Sequence, residues 1–385
     1  MSKKRGVLVW SLLVLATILL FVSSLTVWSK RQLLDNDAWA NSSTQLLADD
    51  DVRGAIAQKL SDALFARVDV EAQLQERFPN AQGAAPALAA LLQNTVGPAA
   101  ADRLLQRPRV QELWKNINKR AHAGVVKVLE GEDIGRNENI STANGEVTVD
   151  FRPLITGLAT RLGVEDKLKA NADPNAGQLV IMKSSQLDAA QTAVKILKAL
   201  SSFLVIAVLV LYGLAIYLAQ RRRRLLLGAT GASLLFVGLI IGSLRRFAGD
   251  AVVDSLVKTE ANKRPVAVIW AIETSLLRDI AVILVLYGVL VLLATVLAGP
   301  NRPAVAFRRW LAPTFRDHPI VVWATAFALF LVLLAVGPTA GSRRLLGVVI
   351  LAATAALAIE MLRRQTLREF PEDPTPAVGK APGTT

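Results

Sequence analysis

Few residues in this chain of 385 could carry out chemistry. There is no cysteine, which excludes thiolate nucleophiles, thiolate metal sites and disulfides. Only His122 and His318 could supply imidazole, so multi-histidine metal sites have few candidate ligands. His122 falls in a helical pattern near Lys119, Arg120 and Lys127, where it could titrate or contact a ligand. Because a lone histidine carries little signal, we interpret it as a surface or boundary residue.

Three consecutive aspartates, Asp49, Asp50 and Asp51, could offer oxygen ligands to a divalent cation. They lack the spaced acidic residues and glycine of a calcium-binding loop, so we interpret them as a helix cap and acidic first turn. Asn139-Ile140-Ser141 matches a glycosylation sequon, a pattern that is frequent by chance. We find no hydrolase, zinc-protease, Walker or dinucleotide-binding motif, and we therefore predict no enzyme, no catalytic or metal site and no cofactor.

The basic residues cluster beside apolar segments. The formal net charge is +13, yet residues 29–198 hold 21 basic and 21 acidic residues. Short basic runs of this kind are typical of the cytoplasmic edges of membrane proteins, and they attract anionic lipid headgroups. We therefore expect a lipid bilayer with anionic headgroups as a partner, and no nucleic acid. The candidate headgroup contacts are Arg221, Arg222, Arg223, Arg224, Arg308 and Arg309.

Six apolar stretches are long enough to cross a bilayer. A transmembrane helix needs about 20 apolar residues, and a hydrophobic content of 52% fits several such helices. The sequence therefore predicts an α-helical integral membrane protein with six transmembrane helices. They are residues 7–28, 201–219, 225–244, 280–298, 320–336 and 345–362. The first begins like a signal peptide, but its length and its terminal Trp28 favour a retained anchor.

The distribution of lysine and arginine predicts that both termini are cytoplasmic. With the N-terminus inside, the cytoplasmic pieces hold 15 basic residues and the outer loops hold eight. We expect a multi-pass protein of the cell membrane. Its segments are a cytoplasmic start and first anchor (1–28), an extracytoplasmic domain (29–198), a five-helix bundle (199–362) with an outer loop (245–278) and a basic inner loop (299–319), and a disordered cytoplasmic tail (363–385).

The exported segment has the helical patterns of an α+β domain that is mainly helical. Val52, Ile56 and Leu60 recur at four-residue spacing, which predicts a helix with one buried stripe. The clearest helix spans residues 108–130, and its apolar face includes Trp114. These helices supply the core of the predicted domain.

A small β-hairpin is expected between the helices. Asn144-Gly145 is the preferred pair for a two-residue hairpin turn, and alternating apolar residues follow it. Residues 178–183 predict a further strand, and a helix is expected from about Pro153. From about residue 185 a helix should run without a stop into the second span.

One predicted span carries small residues along a face, at Gly228, Gly231, Gly238 and Gly242. Glycines at such spacing let helices approach closely, either inside one bundle or between protomers. We interpret them as packing positions within the chain.

The pentapeptide LVLYG occurs twice, at 209–213 and 284–288, and contains two of the three tyrosines. It indicates a duplicated span pair, a substrate site built twice, or chance in an apolar sequence. If it is a duplication, spans two and three should overlay on spans four and five. Tyr212-Gly213 and Tyr287-Gly288 would then be helix crossings, where glycine allows close approach and tyrosine offers a hydrogen bond.

Several short phrases resemble a group of uncharacterised actinobacterial integral membrane proteins. The phrases are Asp37-Ala38-Trp39-Ala40, Trp114 with Ala121-His122, GEVTVDF at 145–151, the arginines at 221–224, and Ala298-Gly299-Pro300. The resemblance implies an N-terminal anchor, an exported and mostly helical domain and five further spans, in an actinobacterial cell envelope. It implies no activity.

Three functions remain open from the sequence. We favour a non-enzymatic cell-envelope protein whose extracytoplasmic domain binds or senses an envelope component or partner protein. The alternative is a permease, or a subunit of a transport complex, for lipid or another apolar solute, because its spans are nearly uncharged. The third is an enzyme acting at the outer leaflet.

Overall fold

The computed structural model describes residues 3–65, 70–77, 83–132, 140–141, 146–150, 178–257, 259–336 and 345–371, which are almost all helical. The chain divides into two compact units. The bundle unit comprises Met1–Ile18, Val208–Gly242 and Arg278–Thr385. The domain unit comprises Leu19–Ala207 and Ser243–Leu277.

The first half of the chain contains seven described helices and three strands. The helices are α1 (Lys3–Leu34), α2 (Asn36–Ala48), α3 (Asp50–Phe65), α4 (Val70–Arg77), α5 (Ala85–Leu91), α6 (Gly97–Leu105) and α7 (Pro108–Glu130). The strands are β1 (Ile140–Ser141), β2 (Glu146–Asp150) and β3 (Gln178–Lys183). A π-helical turn, Leu92–Val96, joins α5 to α6 just before Gly97-Pro98, a pair that interrupts the regular hydrogen bonds of an α-helix.

Long helices dominate the second half of the chain. They are α8 (Ser184–Leu218), α9 (Arg223–Leu256), α10 (Lys263–Glu273), α11 (Ser275–Leu297), α12 (Arg302–Asp317), α13 (Pro319–Val336) and α14 (Leu345–Glu369). The helix expected from about residue 185 into the second span is confirmed, because α8 has no break.

Four helices of the described residues are long and apolar enough to cross a membrane. They are Lys4–Leu34, Gln186–Leu218, Arg223–Leu256 and Ser275–Leu297. A fifth is added only if Arg302–Asp317 and Pro319–Val332, which meet at 111°, count as one broken span. The expectation of six spans is therefore not confirmed. The predicted span 320–336 is found only as part of the bent pair, and the predicted span 345–362 is not among the helices found.

Three strands form a small antiparallel sheet in the order β1-β2-β3. Ile140 pairs with Val149 across β1 and β2. Val147 pairs with Met182 across β2 and β3, where an irregularity in register follows Val147. The predicted turn at Asn144-Gly145 and the helix predicted from Pro153 lie outside the described residues.

The core of the domain unit is built where α2, α3, α6 and α7 meet. Leu47, Ala57 and Leu105 are buried together, and Trp114 packs against them. The Trp114 indole N–H donates to the carbonyl of Ser43 at 3.0 Å, which satisfies the polar end of a half-buried side chain. The predicted helix 108–130 is confirmed as α7.

The buried face of α3 differs from the predicted stripe. Leu60 is 50% exposed, whereas Arg53, Ala57 and Ser61 are buried. These three residues lie at four-residue spacing, one position after the apolar stripe. The shift occurs because Ser61 faces Gly97 of α6, where a side chain would collide with it. Small residues here let α3 and α6 approach closely.

Within the bundle unit, glycines mark the seam between α9 and α11. A methyl group added to Gly288 would lie 2.5 Å from the backbone nitrogen of Leu235 and 2.8 Å from the carbonyl oxygen of Gly231. A methyl group on Gly238 would lie 2.8 Å from the carbonyl oxygen of Ala281. Real side chains do not approach backbone so closely, so these positions require glycine.

Two other predicted packing glycines have open surroundings. A methyl group on Gly213 or Gly242 would meet nothing within 4 Å. Gly228 is intermediate, since a methyl group there would touch the side chain of Thr295 at 3.3 Å. The small-residue face of α9 therefore contacts α11 at some of its glycines and not at all of them.

The two LVLYG glycines provide a matched pair for testing this seam. We expect Gly288→Ala to lower the free energy of unfolding of the purified protein in detergent by about 2 kcal/mol or more, because the added methyl group overlaps the backbone of α9. Gly213 has the same four preceding residues and an open environment, so Gly213→Ala should be neutral or slightly stabilising. Equal effects of the two substitutions would contradict a close α9–α11 approach.

Candidate functional site

A cleft lined by charged and amide residues opens in the domain unit between α3 and the segment that leads into α10. Its volume is about 420 Å³. The lining residues are Asp51, Ala55, Gln58, Lys59, Asp62, Glu260, Asn262, Arg264 and Pro265. The two walls are more than 190 residues apart in sequence, so only the folded chain assembles the cleft.

Ionic groups of both signs line the cleft. The Arg264 guanidinium lies 3.6 Å from the carboxylate of Asp51 and joins the two walls. Gln58 donates to the carboxylate of Asp62 at 2.8 Å, one turn further along α3. Glu260 pairs with Lys263 at 2.6 Å beside the cleft, and this hydrogen bond raises the pKa of Lys263. The arrangement offers hydrogen bonds and charges to a polar ligand.

Asp49, Asp50 and Asp51 act as the predicted start of α3. The Asp49 carboxylate accepts hydrogen bonds from the backbone N–H groups of Asp51 and Val52, at 3.0 and 3.2 Å. Asp50 instead pairs with the buried Arg53. Within the described residues, no group of three histidine or acidic side chains is placed to hold a metal ion.

Arg53 is a buried ionic residue that the sequence analysis missed. Its guanidinium contacts Asp102 at 2.8 Å, Asp50 at 2.5 Å and the carbonyl of Ala48 at 3.1 Å. The hydrogen bond to Asp50 raises the pKa of Arg53 despite partial desolvation. This residue fastens the ends of α2 and α6 to α3, behind the cleft.

The segment around α10 is tied to the C-terminal part of α1. The Trp28 indole donates to the carbonyl of Glu273 at 3.2 Å, and Gln32 donates to the carboxylate of Glu273. Burial raises the pKa of Glu273, and the hydrogen bond from Gln32 partly offsets that increase. Trp28, predicted as an interfacial anchor, therefore also positions the cleft-bearing segment.

Arg245 and Trp270 lock α9 to α10 inside the domain unit. The Arg245 guanidinium donates to the hydroxyl of Thr274 at 2.8 Å, and the Trp270 indole donates back to the carbonyl of Arg245 at 3.1 Å. A side chain at Gly249 would collide with the Trp270 ring. Arg245 is one of the eight basic residues in the predicted outer loops, and this bonding gives it a structural role.

His122 is buried, which corrects its interpretation as a surface or boundary residue. Its ring stacks on Trp39 with centroids 4.7 Å apart, and Nδ1 lies 2.8 Å from the amide oxygen of Asn36. Burial lowers the pKa of His122, although its hydrogen bond to the Leu33 backbone and the charge of Asp35 act in the opposite direction. The residue fixes α7 against the junction of α1 and α2.

A surface ion pair flanks this buried histidine. Lys119 pairs with Asp37 at 2.6 Å, and that hydrogen bond lowers the pKa of Asp37. Both side chains are largely exposed, so the pair contributes little to stability.

The tyrosines of the two LVLYG copies make similar contacts in the bundle unit. The Tyr212 hydroxyl lies 3.3 Å from the hydroxyl of Thr17 in α1. Tyr287 hydrogen-bonds to Thr354 in α14. Each tyrosine thus bonds a threonine of another helix, whereas the adjacent glycines differ, because Gly288 is crowded and Gly213 is open. Duplication of the span pairs stays a prediction.

The candidate headgroup arginines have different surroundings. Arg308 is only 1% exposed, and its guanidinium bonds Glu369 at 2.8 Å and the carbonyls of Leu297 and Gly299. This corrects its assignment as a headgroup contact, because every face of its guanidinium is turned inward. Its hydrogen bond lowers the pKa of Glu369.

The remaining candidate arginines lie nearer the surface. Arg309 is exposed and stands 5.5 Å from the ring centre of Phe370. Arg224 donates to the carbonyl of Thr295 at 2.9 Å, and Arg222 and Arg223 are exposed. The side chain of Arg221 lies outside the described part. Contact between these arginines and lipid headgroups stays a prediction.

The structure assembles residues that the sequence patterns could not connect. Arg53, Arg264 and Glu273 lie in no recognised motif, and each has a partner far away in sequence. Only the Asp51 end of the cleft carried a signal, as part of an acidic run. Comparison with protein-family models, curated proteins and solved structures finds no match to this chain.

His122 gives a prediction for the dependence of stability on pH. Because its pKa is lowered in the folded state, the unfolded chain binds more protons near the usual value of 6.5. The free energy of unfolding should therefore decrease as the pH falls from 7.5 to 5.5. His122→Gln should flatten this slope and cost about 1–2 kcal/mol at pH 7.5 through lost stacking and hydrogen bonding.

Thermal unfolding of the full chain in detergent, followed by tryptophan fluorescence, measures this slope. His318→Gln is the matched control, since His318 is the other histidine and is exposed. It should retain the slope of the unmodified protein. If His122→Gln retained the slope as well, the buried environment of His122 would be wrong.

Proposed function

We propose that this protein is a non-enzymatic membrane protein of the cell envelope, whose extracytoplasmic domain binds or senses an envelope component or a partner protein. The proposed binding site is the cleft between α3 and residues 259–265. One observation carries the proposal: two distant parts of the chain, joined by Arg264 and Asp51, form an open cleft with charges of both signs.

The character of the cleft favours a polar ligand. Its lining combines three carboxylates with a lysine, an arginine and two amides. Such a surface suits a partner that carries both charges, for example a segment of a protein or an envelope glycopeptide.

The placement of the domain outside the membrane is part of this proposal. It rests on the bias of basic residues, which favours cytoplasmic termini, and on the neutral charge of residues 29–198. Six spans and a small β-hairpin in the exported domain complete the proposed topology. An actinobacterial envelope rests on the resemblance of the short phrases alone.

Transport of a lipid or another apolar solute is the alternative function. It rests on the nearly uncharged spans. The close approach of α9 and α11 at Gly231, Gly238 and Gly288 leaves no room for a solute at those crossings. A passage would have to run between other helices, so binding at the cleft remains the better-supported function.

Site-directed capture tests the proposed function, because the chain has no native thiol. In Gln58→Cys the thiol lies in the cleft, and in Leu60→Cys it lies on the exposed opposite side of α3. Intact cells carrying either variant are treated with a membrane-impermeant photo-crosslinker that reacts with thiols. We expect both variants to be labelled and only Gln58→Cys to capture a distinct adduct.

Charge reversal in the cleft completes the test. Arg264→Glu, added to Gln58→Cys, should abolish the adduct without reducing thiol labelling. Asn301 lies in the predicted inner loop, which the impermeant reagent cannot reach. Labelling of Asn301→Cys instead of Gln58→Cys would therefore contradict the topology. Equal adducts from both sides of α3, or an adduct unaffected by Arg264→Glu, would contradict the cleft as the binding site.

A further inference from the structure

Helix α12 (Arg302–Asp317) has an unusual direction for its place between apolar helices. It follows α11, which is long enough to cross a membrane, and it meets α13 at 111°. Helix α13 has 18 residues, about 27 Å of helix, and its first turn exposes Ile320 and Val321. If α13 runs across a bilayer, α12 lies nearly parallel to the bilayer surface.

One face of α12 is fixed to the protein. Ala304, Arg308, Ala312 and Phe315 are buried, and α12 packs against α13 and α14. The Arg308 guanidinium holds Glu369 in α14 and the carbonyls that end α11. These bonds prevent the helix from rolling, so its other faces keep a defined direction.

An apolar flank lies to one side of the buried face. Trp310 is 71% exposed and Phe307 is 40% exposed, although both are large aromatic residues. Their rings lie 6.0 Å apart, one helical turn from each other. Pro303 extends the same flank by another turn, because it lies four residues before Phe307. Exposed aromatic residues of this kind are typical of the boundary between lipid and water.

A stripe of arginines lies on the opposite flank. Arg302, Arg309 and Arg316 recur at seven-residue spacing, which places them along one side of a helix. Arg302 and Arg309 are exposed, and Arg316 donates to the carbonyl of Phe370 at 2.7 Å. The aromatic and basic flanks are about a quarter turn or more apart on the helix surface.

We infer that α12 is an interfacial lipid-binding helix, which buries Phe307 and Trp310 at the edge of the hydrocarbon and sets Arg302 and Arg309 against the phosphates of anionic phospholipids. The charge complementarity and the bend to α13 identify the bilayer as the occupant of this surface. This inference concerns the bundle unit and goes beyond binding at the cleft of the domain unit.

Nitroxide labels at single cysteines measure the depth of this helix. The full chain is reconstituted in vesicles of phosphatidylcholine with phosphatidylglycerol, with labels at Phe307→Cys, Trp310→Cys, Arg309→Cys and Asn301→Cys. Oxygen concentrates in hydrocarbon, whereas a nickel chelate stays in water. We expect the nitroxides at 307 and 310 to be relaxed more by oxygen than by the nickel chelate. The label at 301, in the loop before α12, should be relaxed more by the nickel chelate, and the label at 309 should give an intermediate ratio.

Two outcomes would overturn the inference. If the nickel chelate reaches 307 and 310 as readily as 301, the aromatic flank lies in water. If neither reagent reaches 307 and 310, the flank is covered by protein, such as a second copy of the chain. The labels at 309 and 301 supply the values for the headgroup region and for water with which the values at 307 and 310 are compared.

The arginine flank is tested by lipid selectivity. Spin-labelled phosphatidylglycerol should associate more strongly than spin-labelled phosphatidylcholine with the unmodified protein. Arg302→Gln and Arg309→Gln should each lower this preference, by up to about fivefold at the site. Arg246→Gln, an exposed arginine at the other end of α9 from Arg224, is the control. An equal effect of Arg246→Gln would show that only the total charge matters and would overturn the assignment of the headgroups to α12.

Discussion

The close approach of α9 and α11 is the constraint on which the bundle unit depends. Helices in lipid gain little from burying apolar side chains, so they associate through close packing and interhelical hydrogen bonds. Gly231, Gly238 and Gly288 allow the two backbones to touch. Near one end of the seam, Arg224 of α9 donates to the carbonyl of Thr295 in α11. The register of α9 against α11 thereby becomes fixed.

Polar residues near the helix ends stabilise each unit in the same way. Several buried or half-buried arginines donate to a backbone carbonyl, because an unpaired buried charge would be costly. In the bundle unit Arg308 closes the end of α11 against Glu369. In the domain unit Arg53 and Arg245 play the same part for α3 and α9. Arg53 and Arg245 thereby help to hold the cleft in the domain unit, and Arg308 holds α12 in the bundle unit.

The sequence predicted local features well and distant pairings poorly. The helix 108–130 and the cap at Asp49 followed from local periodicity and capping chemistry, and both are present. Leu60 was assigned to the buried stripe and Arg53 was missed, because the buried face of α3 depends on the small residues of α6. Arg308 looked like a surface charge in a basic run, and only its partner 61 residues away makes it a buried one.

The cleft could not have been predicted, since its walls carry no shared motif and meet only in the folded chain. The α9–α11 contact that organises the bundle unit can be tested directly. A methyl group on Gly228 would lie 3.8 Å from Cβ of Thr295, a spacing that suits a disulfide. Oxidation of Gly228→Cys with Thr295→Cys in membranes should join the two helices within one chain, seen as a cross-linked peptide by mass spectrometry. Free thiols after oxidation, or cross-links as frequent as those of Gly242→Cys with Thr295→Cys, would contradict the account.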